Sequence, residues 1–140
     1  MRHILWNGDN LRVLDQRLLP RRIAFIDCSS AAAVAKATKD MALRGAPLIG
    51  CAAAFGMALA ARSENLRDLN KAAALLKSAR PTAINLACAV DRMLAAGSAR
   101  RSGGLFEAIS RAAQEFYEED LKANQVMAKL GAGLLGKGAR

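Results

Sequence analysis

Aromatic side chains are scarce in this sequence, where phenylalanine, tyrosine and tryptophan supply 4% of the 140 residues. So few aromatics are poor material for a large β-sandwich or barrel, whereas abundant alanine suits closely packed helices. No apolar run approaches the roughly 20 residues of a membrane span, and Asn7-Gly8-Asp9 comes too early to leave room for a signal-peptide core. We therefore expect a mostly helical, cytoplasmic protein with no membrane partner.

Cysteine and histidine are also few. Cys28, Cys51 and Cys88 are odd in number, widely separated and set among apolar residues, which predicts neither a disulfide framework nor a metal site. We expect all three to be buried and reduced. The single histidine, His3, has no cysteine or carboxylate at a fixed spacing, so no catalytic pair is visible in the sequence.

Basic residues outnumber acidic ones by 21 to 12, a net charge of +9. They are spread along the chain among acidic residues and form no basic tail, so a nucleic-acid surface is not our expectation. Solvated helix faces, or one half of an interface with an acidic partner, account better for this distribution.

The first 27 residues predict a small antiparallel sheet. Asn7-Gly8 lies between two short apolar segments, which is a strong hairpin signal, and Ile23-Ala24-Phe25-Ile26 is typical of a third strand. The sheet portion (1–27) and a helical portion (28–140) should form a single domain over residues 1–140.

About five helices should follow the sheet. Ser29-Ser30 can cap the first, which carries Val34, Ala37 and Met41 on one face and should end at Gly45. The second begins at Pro47, since proline lacks an amide proton and a first-turn amide has no intrahelical acceptor in any case. It extends to about residue 61, and its small residues on nearly all sides predict a buried central helix.

The later helices are bounded by proline and glycine. An apolar stripe predicts a third helix that ends before Pro81, and Pro81 should start a fourth that ends near residue 96. Residues 97–104 predict a loop, followed by a fifth helix to about residue 130. Residues 134–140 look like a turn about to enter a strand. The stripe of the third helix is Leu66, Leu69, Ala73 and Leu76.

Two segments, Arg44-Gly45-Ala46-Pro47 and Arg80-Pro81-Thr82-Ala83, each place an arginine before a predicted proline-initiated helix. First-turn amides lack intrahelical acceptors and carry the positive end of the helix dipole, and arginine adds a planar fork of donors that fits phosphate. The alternative is that the arginines cap the preceding helices or pair with carboxylates such as Asp40 and Asp91. Spacing alone does not separate these interpretations.

The polar cluster Asp15-Gln16-Arg17 interrupts an apolar stretch. Its simplest interpretation is a turn that is fixed by its own side chains.

Three blocks of the sequence are distinctive when they are taken together. They are Leu5-Trp6 with Leu11-Arg12-Val13-Leu14-Asp15-Gln16-Arg17-Leu18-Leu19-Pro20, then Met41-Ala42-Leu43-Arg44-Gly45-Ala46-Pro47-Leu48-Ile49-Gly50, then Ser78-Ala79-Arg80-Pro81-Thr82-Ala83-Ile84-Asn85-Leu86. In order and spacing, these blocks resemble the amino-terminal half of the methylthioribose-1-phosphate isomerase family. Glu119-Asp120-Leu121 and Asn124 resemble the family's following helix, so the resemblance extends over essentially the whole chain.

The resemblance implies an α+β amino-terminal domain and a step of methionine salvage, in which methylthioribose-1-phosphate becomes methylthioribulose-1-phosphate without metal or organic cofactor. Family members carry the catalytic cysteine and aspartate in a following Rossmann-like domain. We therefore expect no catalytic residue in this chain, and no activity from it alone. Arg44, Gly45, Ala46 and Arg80 match positions that bind the substrate phosphate.

The resemblance also implies a homodimer in full-length members and a second domain packed after the last helix. Leu134, Leu135 and parts of the central helix should then be partly exposed in this chain. One departure is Lys129-Leu130-Gly131, where family members usually have a histidine before the glycine.

Other functions remain open at this point. The Arg-Gly-Ala-Pro block also suits ribose-1,5-bisphosphate isomerases and the regulatory subunits of initiation factor 2B, whereas the block at residues 14–20 favours the methylthioribose enzyme. A non-catalytic regulatory or interaction module is therefore the alternative from another class, and an inactive truncated product is a third.

Overall fold

A computed structural model describes residues 2–100 and 103–135 of the chain. The fold begins with a three-stranded antiparallel sheet. The strands, in spatial order, are β1 (Ile4–Trp6), β2 (Leu11–Leu14) and β3 (Phe25–Cys28). The predicted hairpin is confirmed, with Ile4 paired to Val13. The Asn7 side chain closes its turn by accepting hydrogen bonds from the backbone amides of Asp9 and Asn10.

The third strand lies two residues later than the predicted segment 23–26. Its register pairs Leu14 with Phe25 and Leu11 with Cys28, which places Cys28 in the core. Ile23 precedes this pairing and is 61% exposed. The apolar Ile23 suggested an earlier start, but the pairing with β2 begins at Leu14 and Phe25, and composition alone does not reveal where that pairing begins.

Five helices follow among the described residues, as predicted: α1 (Ala31–Lys39), α2 (Ala46–Ala61), α3 (Leu66–Ala79), α4 (Ile84–Ala99) and α5 (Leu105–Leu134). Helix α2 is the centre of the fold, because it contacts the other four helices and β2 and is buried over most of its length. This confirms the prediction of a buried central helix, and the expected exposure of parts of it is limited to its first turn, where Ala46 and Pro47 are exposed. Its small side chains let neighbours approach on every side.

The first helix is shorter than predicted. It begins after Ser30, whose side chain accepts a hydrogen bond from the amide of Ala33, but it ends at Lys39 rather than near Gly45. Met41 takes a left-handed φ of 61° and is 42% exposed, so it does not continue the buried face. The chain therefore turns before Gly45, and a separate segment joins α1 to α2.

Boundaries of the last two helices also differ from the prediction. Gly97 and Ser98, predicted in a loop, belong to α4, and Gly97 is buried where Leu105 and Ile109 of α5 pack against it. Helix α5 continues through the glycines at 131 and 133 to Leu134. Residues 101–102 of the predicted loop, and residues 136–140 of the predicted turn into a strand, lie outside the described residues.

A cluster of three aromatic side chains joins the sheet to the helices. The Phe55 ring stacks on Trp6 with centroids 5.1 Å apart and meets the edge of Tyr117 at 5.9 Å.

Helix α5 runs antiparallel to both α2 and α4. Phe55, in the middle of α2, meets Tyr117, whereas Glu64, just after the end of α2, accepts a hydrogen bond from the amide of Leu105 at the start of α5. Along α4, Arg92 contacts Glu119 at 2.6 Å, and Gly97 further on packs against Leu105 and Ile109.

The cysteine prediction is correct for two of the three residues. Cys28 and Cys51 are buried, but Cys88 lies on the exposed face of α4. The expected exposure of Leu134 and Leu135 is confirmed, at 88% and 69%. Within the described ranges, no helix combines the length and apolar character that crossing a membrane requires.

Candidate anion-binding site

The start of α2 is open to solvent. Gly45 adopts φ 97° and ψ 121°, a conformation that disfavours side chains, and its carbonyl accepts the first α-helical hydrogen bond from Ile49 at 3.0 Å. Pro47, the second helical residue, has no amide proton. The amides of Ala46 and Leu48 come before Ile49, the first amide that donates within the helix, and they can therefore bind an external group.

The start of α4 differs from the predicted design. Arg80, Pro81 and Thr82 form a turn in which the amide of Ala83 donates to the carbonyl of Arg80 at 3.0 Å, and the helix itself begins at Ile84. Proline therefore ends α3 rather than starting α4. Arg80 is half-buried at the end of α3. It lies three residues before Ala83, the N-cap residue of α4, whose side chain makes no capping hydrogen bond.

A comparison of the five helix starts separates α2 and α4 from the rest. Ser30 caps α1 and Asn65 caps α3 by accepting first-turn amide hydrogen bonds. The Glu64 carboxylate caps α5 from outside the helix, accepting from the amides of Leu105 at 2.5 Å and Phe106 at 3.0 Å. Within residues 2–100 and 103–135, only α2 and α4 begin without a side-chain cap. They are also the two helices that follow the arginine segments.

These two uncapped helix starts lie close together. A Cβ placed on Gly50, one turn into α2, would be 2.9 Å from the backbone oxygen of Asn85, the second residue of α4. Because both helices run antiparallel to α5, their positive dipole ends meet at the same end of the bundle. The structure thus places the start of α2 beside the start of α4.

One of the two alternative roles for the arginines, pairing with carboxylates, receives no support. Asp40 is engaged by Lys36, and Asp91 by Lys77 at 2.5 Å. In the part of the chain that the structure describes, neither Arg44 nor Arg80 forms an ion pair with a carboxylate. Arg44 makes one marginal contact, from Nε to the carbonyl oxygen of Met41 at 3.5 Å.

The Asp15-Gln16-Arg17 turn is indeed fixed by its own side chains. Buried Asp15 accepts hydrogen bonds from the Arg17 backbone amide at 3.1 Å, from Nε at 2.8 Å and from Nη2 at 2.7 Å. The hydrogen bond from the Arg17 side chain holds the pKa of the Asp15 carboxyl below its usual range. Sequence reasoning missed a second feature: the side-chain amide of Gln16 donates to the carbonyl of Arg44 at 3.2 Å.

Neither buried cysteine has the surroundings of a nucleophile. Burial raises the pKa of the Cys28 thiol to about 11 and that of Cys51 to about 12, which suppresses the reactive thiolate. Across the described ranges, no three histidine, cysteine or acidic side chains are grouped as a metal ion would require. The site thus offers hydrogen-bond donors and positive charge, which suit an anion.

Residues 42–140 of the chain match the model of the initiation factor 2 subunit family. Two curated relatives, named methylthioribose-1-phosphate isomerase, are each 46% identical over 99% of this chain. They come from Xanthomonas euvesicatoria pv. vesicatoria and Alkalilimnicola ehrlichii. The aligned part is 41% and 42% of their lengths, so the chain spans about two fifths of these relatives.

Two solved structures share the fold closely. The delta subunit of translation initiation factor eIF-2B from A. fulgidus is 38% identical with a TM-score of 0.88, covering 99% of this chain and 43% of its own. The 5-methylthioribose 1-phosphate isomerase from Pyrococcus horikoshii is 36% identical with a TM-score of 0.85, covering 96% of this chain and 40% of its own.

Proposed function

This chain belongs to the initiation factor 2 subunit family, and we propose that within this family it is the phosphate-binding part of a sugar-phosphate isomerase. The reaction is the conversion of methylthioribose-1-phosphate to methylthioribulose-1-phosphate. The names of the relatives at 46% identity support this choice of substrate. The homodimer that the sequence resemblance implies belongs to the same proposal.

The observation that carries the proposal is the pairing of two uncapped helix starts, each preceded by an arginine. Gly50 and Asn85 hold α2 and α4 in backbone contact beside these starts. A phosphate group there would accept hydrogen bonds from backbone amides that no protein side chain satisfies, and its charge would be balanced by Arg44 and Arg80. Gly45 and Ala46 let the anion approach the backbone of α2.

The chemical step requires a group that moves a proton between neighbouring sugar carbons. His3 lies beside β1 in the sheet, and the thiols of Cys28 and Cys51 are buried away from solvent. Cys88 is exposed on α4 but does not match the position of the family's catalytic cysteine. We therefore assign this chain the binding of the phosphate and assign proton transfer to residues outside it. The 140-residue chain alone should bind the substrate without converting it.

The test is an amide NMR titration of the chain with inorganic phosphate and with methylthioribose-1-phosphate. Amide signals of Ala46, Leu48, Ile84 and Asn85 should shift, whereas that of Ala33, at the capped start of α1, should not. Replacing Arg44 or Arg80 by alanine should weaken binding about tenfold or more, the effect of losing a charge-assisted contact. Lysine should restore part of it, because it keeps the charge but loses the planar fork.

The matched control is Arg67→Ala, since Arg67 is exposed on α3 and has no carboxylate partner among the described residues. Arg92, which the sequence places on a helix surface, is unsuitable because it makes two hydrogen bonds to Glu119. If the Arg44 and Arg80 variants bind both ligands as well as the Arg67 variant does, the arginines are not ligands. If the chain alone converted methylthioribose-1-phosphate, and still did so after replacement of all three cysteines, the assignment of proton transfer to residues outside the chain would be wrong.

A regulatory or interaction module is the second candidate, favoured by the TM-score of 0.88 to the eIF-2B delta subunit from A. fulgidus. The same titration separates the two candidates. A chain that binds neither phosphate nor the sugar phosphate at the paired helix starts favours the module.

A further inference from the structure

Gln16, in the turn after β2, makes two hydrogen bonds to the segment that leads to the proposed phosphate site. Gln16 donates a hydrogen bond from its backbone amide to the carbonyl of Ala42 at 3.0 Å. Its side-chain Nε2 donates a second to the carbonyl of Arg44 at 3.2 Å. A single residue thus holds two alternate carbonyls in the segment between α1 and α2.

That segment has few other restraints near its end. It includes two residues with left-handed φ angles, Met41 at 61° and Gly45 at 97°. Ala42 and Leu43 are fully buried and anchor its middle, but Arg44 and the residues that follow are exposed. The Gln16 side chain therefore ties the exposed part of the segment to the turn after β2, beside the hydrogen bond that joins the Gly45 carbonyl to Ile49 of α2.

Holding the Arg44 carbonyl also fixes the next amide. The carbonyl of Arg44 and the N–H of Gly45 belong to one planar trans peptide, in which the two groups point in opposite directions. When Gln16 holds the oxygen on the side of the sheet, the Gly45 N–H must face away from it. If this peptide could rotate freely, the Gly45 N–H and the Cα–Cβ bond of Arg44 would each adopt several orientations.

The Gln16 side chain starts from a rigid base. Asp15 is 5% exposed, and its carboxylate receives three hydrogen bonds from Arg17. The amide of Leu18 donates back to the Asp15 carbonyl at 3.3 Å, which closes the turn.

We propose that Gln16 is a positioning residue for phosphate binding, acting through the peptide that joins Arg44 to Gly45. The inference rests on the proposed function, because it concerns the orientation of donors at that site. Gln16 itself need not touch the ligand. The polar turn Asp15-Gln16-Arg17 thereby gains a role beyond its own stability.

The experiment uses Gln16→Met in the 140-residue chain, since methionine keeps the length of glutamine but cannot donate. We expect phosphate affinity to fall between about twofold and tenfold, the effect of one hydrogen bond. The amide signal of Gly45 should move in the ligand-free variant, while the signals of Ile84 and Asn85 stay in place. A role confined to general stability would not produce this selective change. Gln114→Met, on the exposed surface of α5, is the matched control.

The outcomes distinguish the two proposals. If the wild-type chain binds phosphate through Arg44 and Arg80 but Gln16→Met binds it equally well, the positioning role is wrong and the proposed function stands. If phosphate does not shift the amide signals at either helix start of the wild-type chain, both proposals fail. Should the methionine variant not fold, Gln16→Asn retains a polar amide too short to reach Arg44 and should show the same loss.

Discussion

Gly50 of α2 and Asn85 of α4 are in backbone contact, so close that an added Cβ would lie 2.9 Å from the Asn85 carbonyl oxygen. An alanine in a helix interior normally stabilises it relative to glycine by roughly 0.5–1 kcal/mol. At this position, the clash with backbone atoms should reverse the sign. We expect Gly50→Ala to lower the free energy of unfolding by about 1–3 kcal/mol, measured by urea denaturation.

Gly131 supplies the matched control for this substitution. It lies within α5, and a Cβ added to it would meet no atom within 4 Å. Gly131→Ala should therefore be neutral or stabilising by up to about 1 kcal/mol. Equal stabilisation by both alanines would show that α2 and α4 are further apart than the structure places them.

Phe55 is the side chain on which the sheet, α2 and α5 converge. It is 1% exposed and touches the rings of Trp6 and Tyr117. Truncation to alanine leaves a cavity that neighbouring helices fill only in part, so we expect Phe55→Ala to cost about 3–5 kcal/mol. Fluorescence of Trp6, the single tryptophan, reports the unfolding. A loss below about 1 kcal/mol would be incompatible with a buried aromatic cluster.

Glu64 should stabilise the start of α5 in a pH-dependent way. Hydrogen bonds from the backbone amides of Phe106 and Leu105 hold the pKa of its carboxyl below the ordinary 4.5. The contribution of a carboxylate with a lowered pKa is complete above the unfolded-state value and disappears as the pH falls through the folded-state value. We therefore expect Glu64→Gln to be less stable at pH 7, with the difference shrinking below about pH 4.5.

Thermal unfolding of both proteins between pH 3 and pH 7 measures this difference. Glu118→Gln is the control, because Glu118 is exposed on α5 and has no ion-pair partner within the described residues. A constant gap between wild type and the Glu64 variant at every pH would mean that the carboxylate charge has no part in capping α5.

The three thiols should react at very different rates. Cys88 is exposed, whereas Cys28 and Cys51 are buried, and burial raises the pKa of both. At pH 8, a maleimide should label one thiol per folded chain and three after unfolding in urea. Mass spectrometry counts the labels, and Cys88→Ser should abolish labelling of the folded protein. Rapid labelling of two or more thiols in the folded chain would contradict the burial.

Local sequence signals were sufficient where the deciding contact is itself local. Asn7-Gly8 predicts the hairpin because the turn is closed by neighbouring residues, and Ser30 caps α1 within three residues. The prediction that Pro81 starts α4 was wrong. Proline marks a break between helices, but the turn at Arg80 decides that this break ends α3 and that α4 begins later, at Ile84. Gly97 suggested a loop, yet the packing of Leu105 and Ile109 makes it a point of close helix contact.

By itself, the sequence determined the α+β class, the order of strands and helices, and the two arginine segments near helix starts. Only the tertiary structure decided that those starts lie side by side and uncapped, and that Gln16 holds the carbonyl of Arg44. The cap of α5 is of the same kind, since Glu64 and Leu105 are 41 residues apart. Such contacts depend on how packed helices cross, and no periodicity or local preference encodes that geometry.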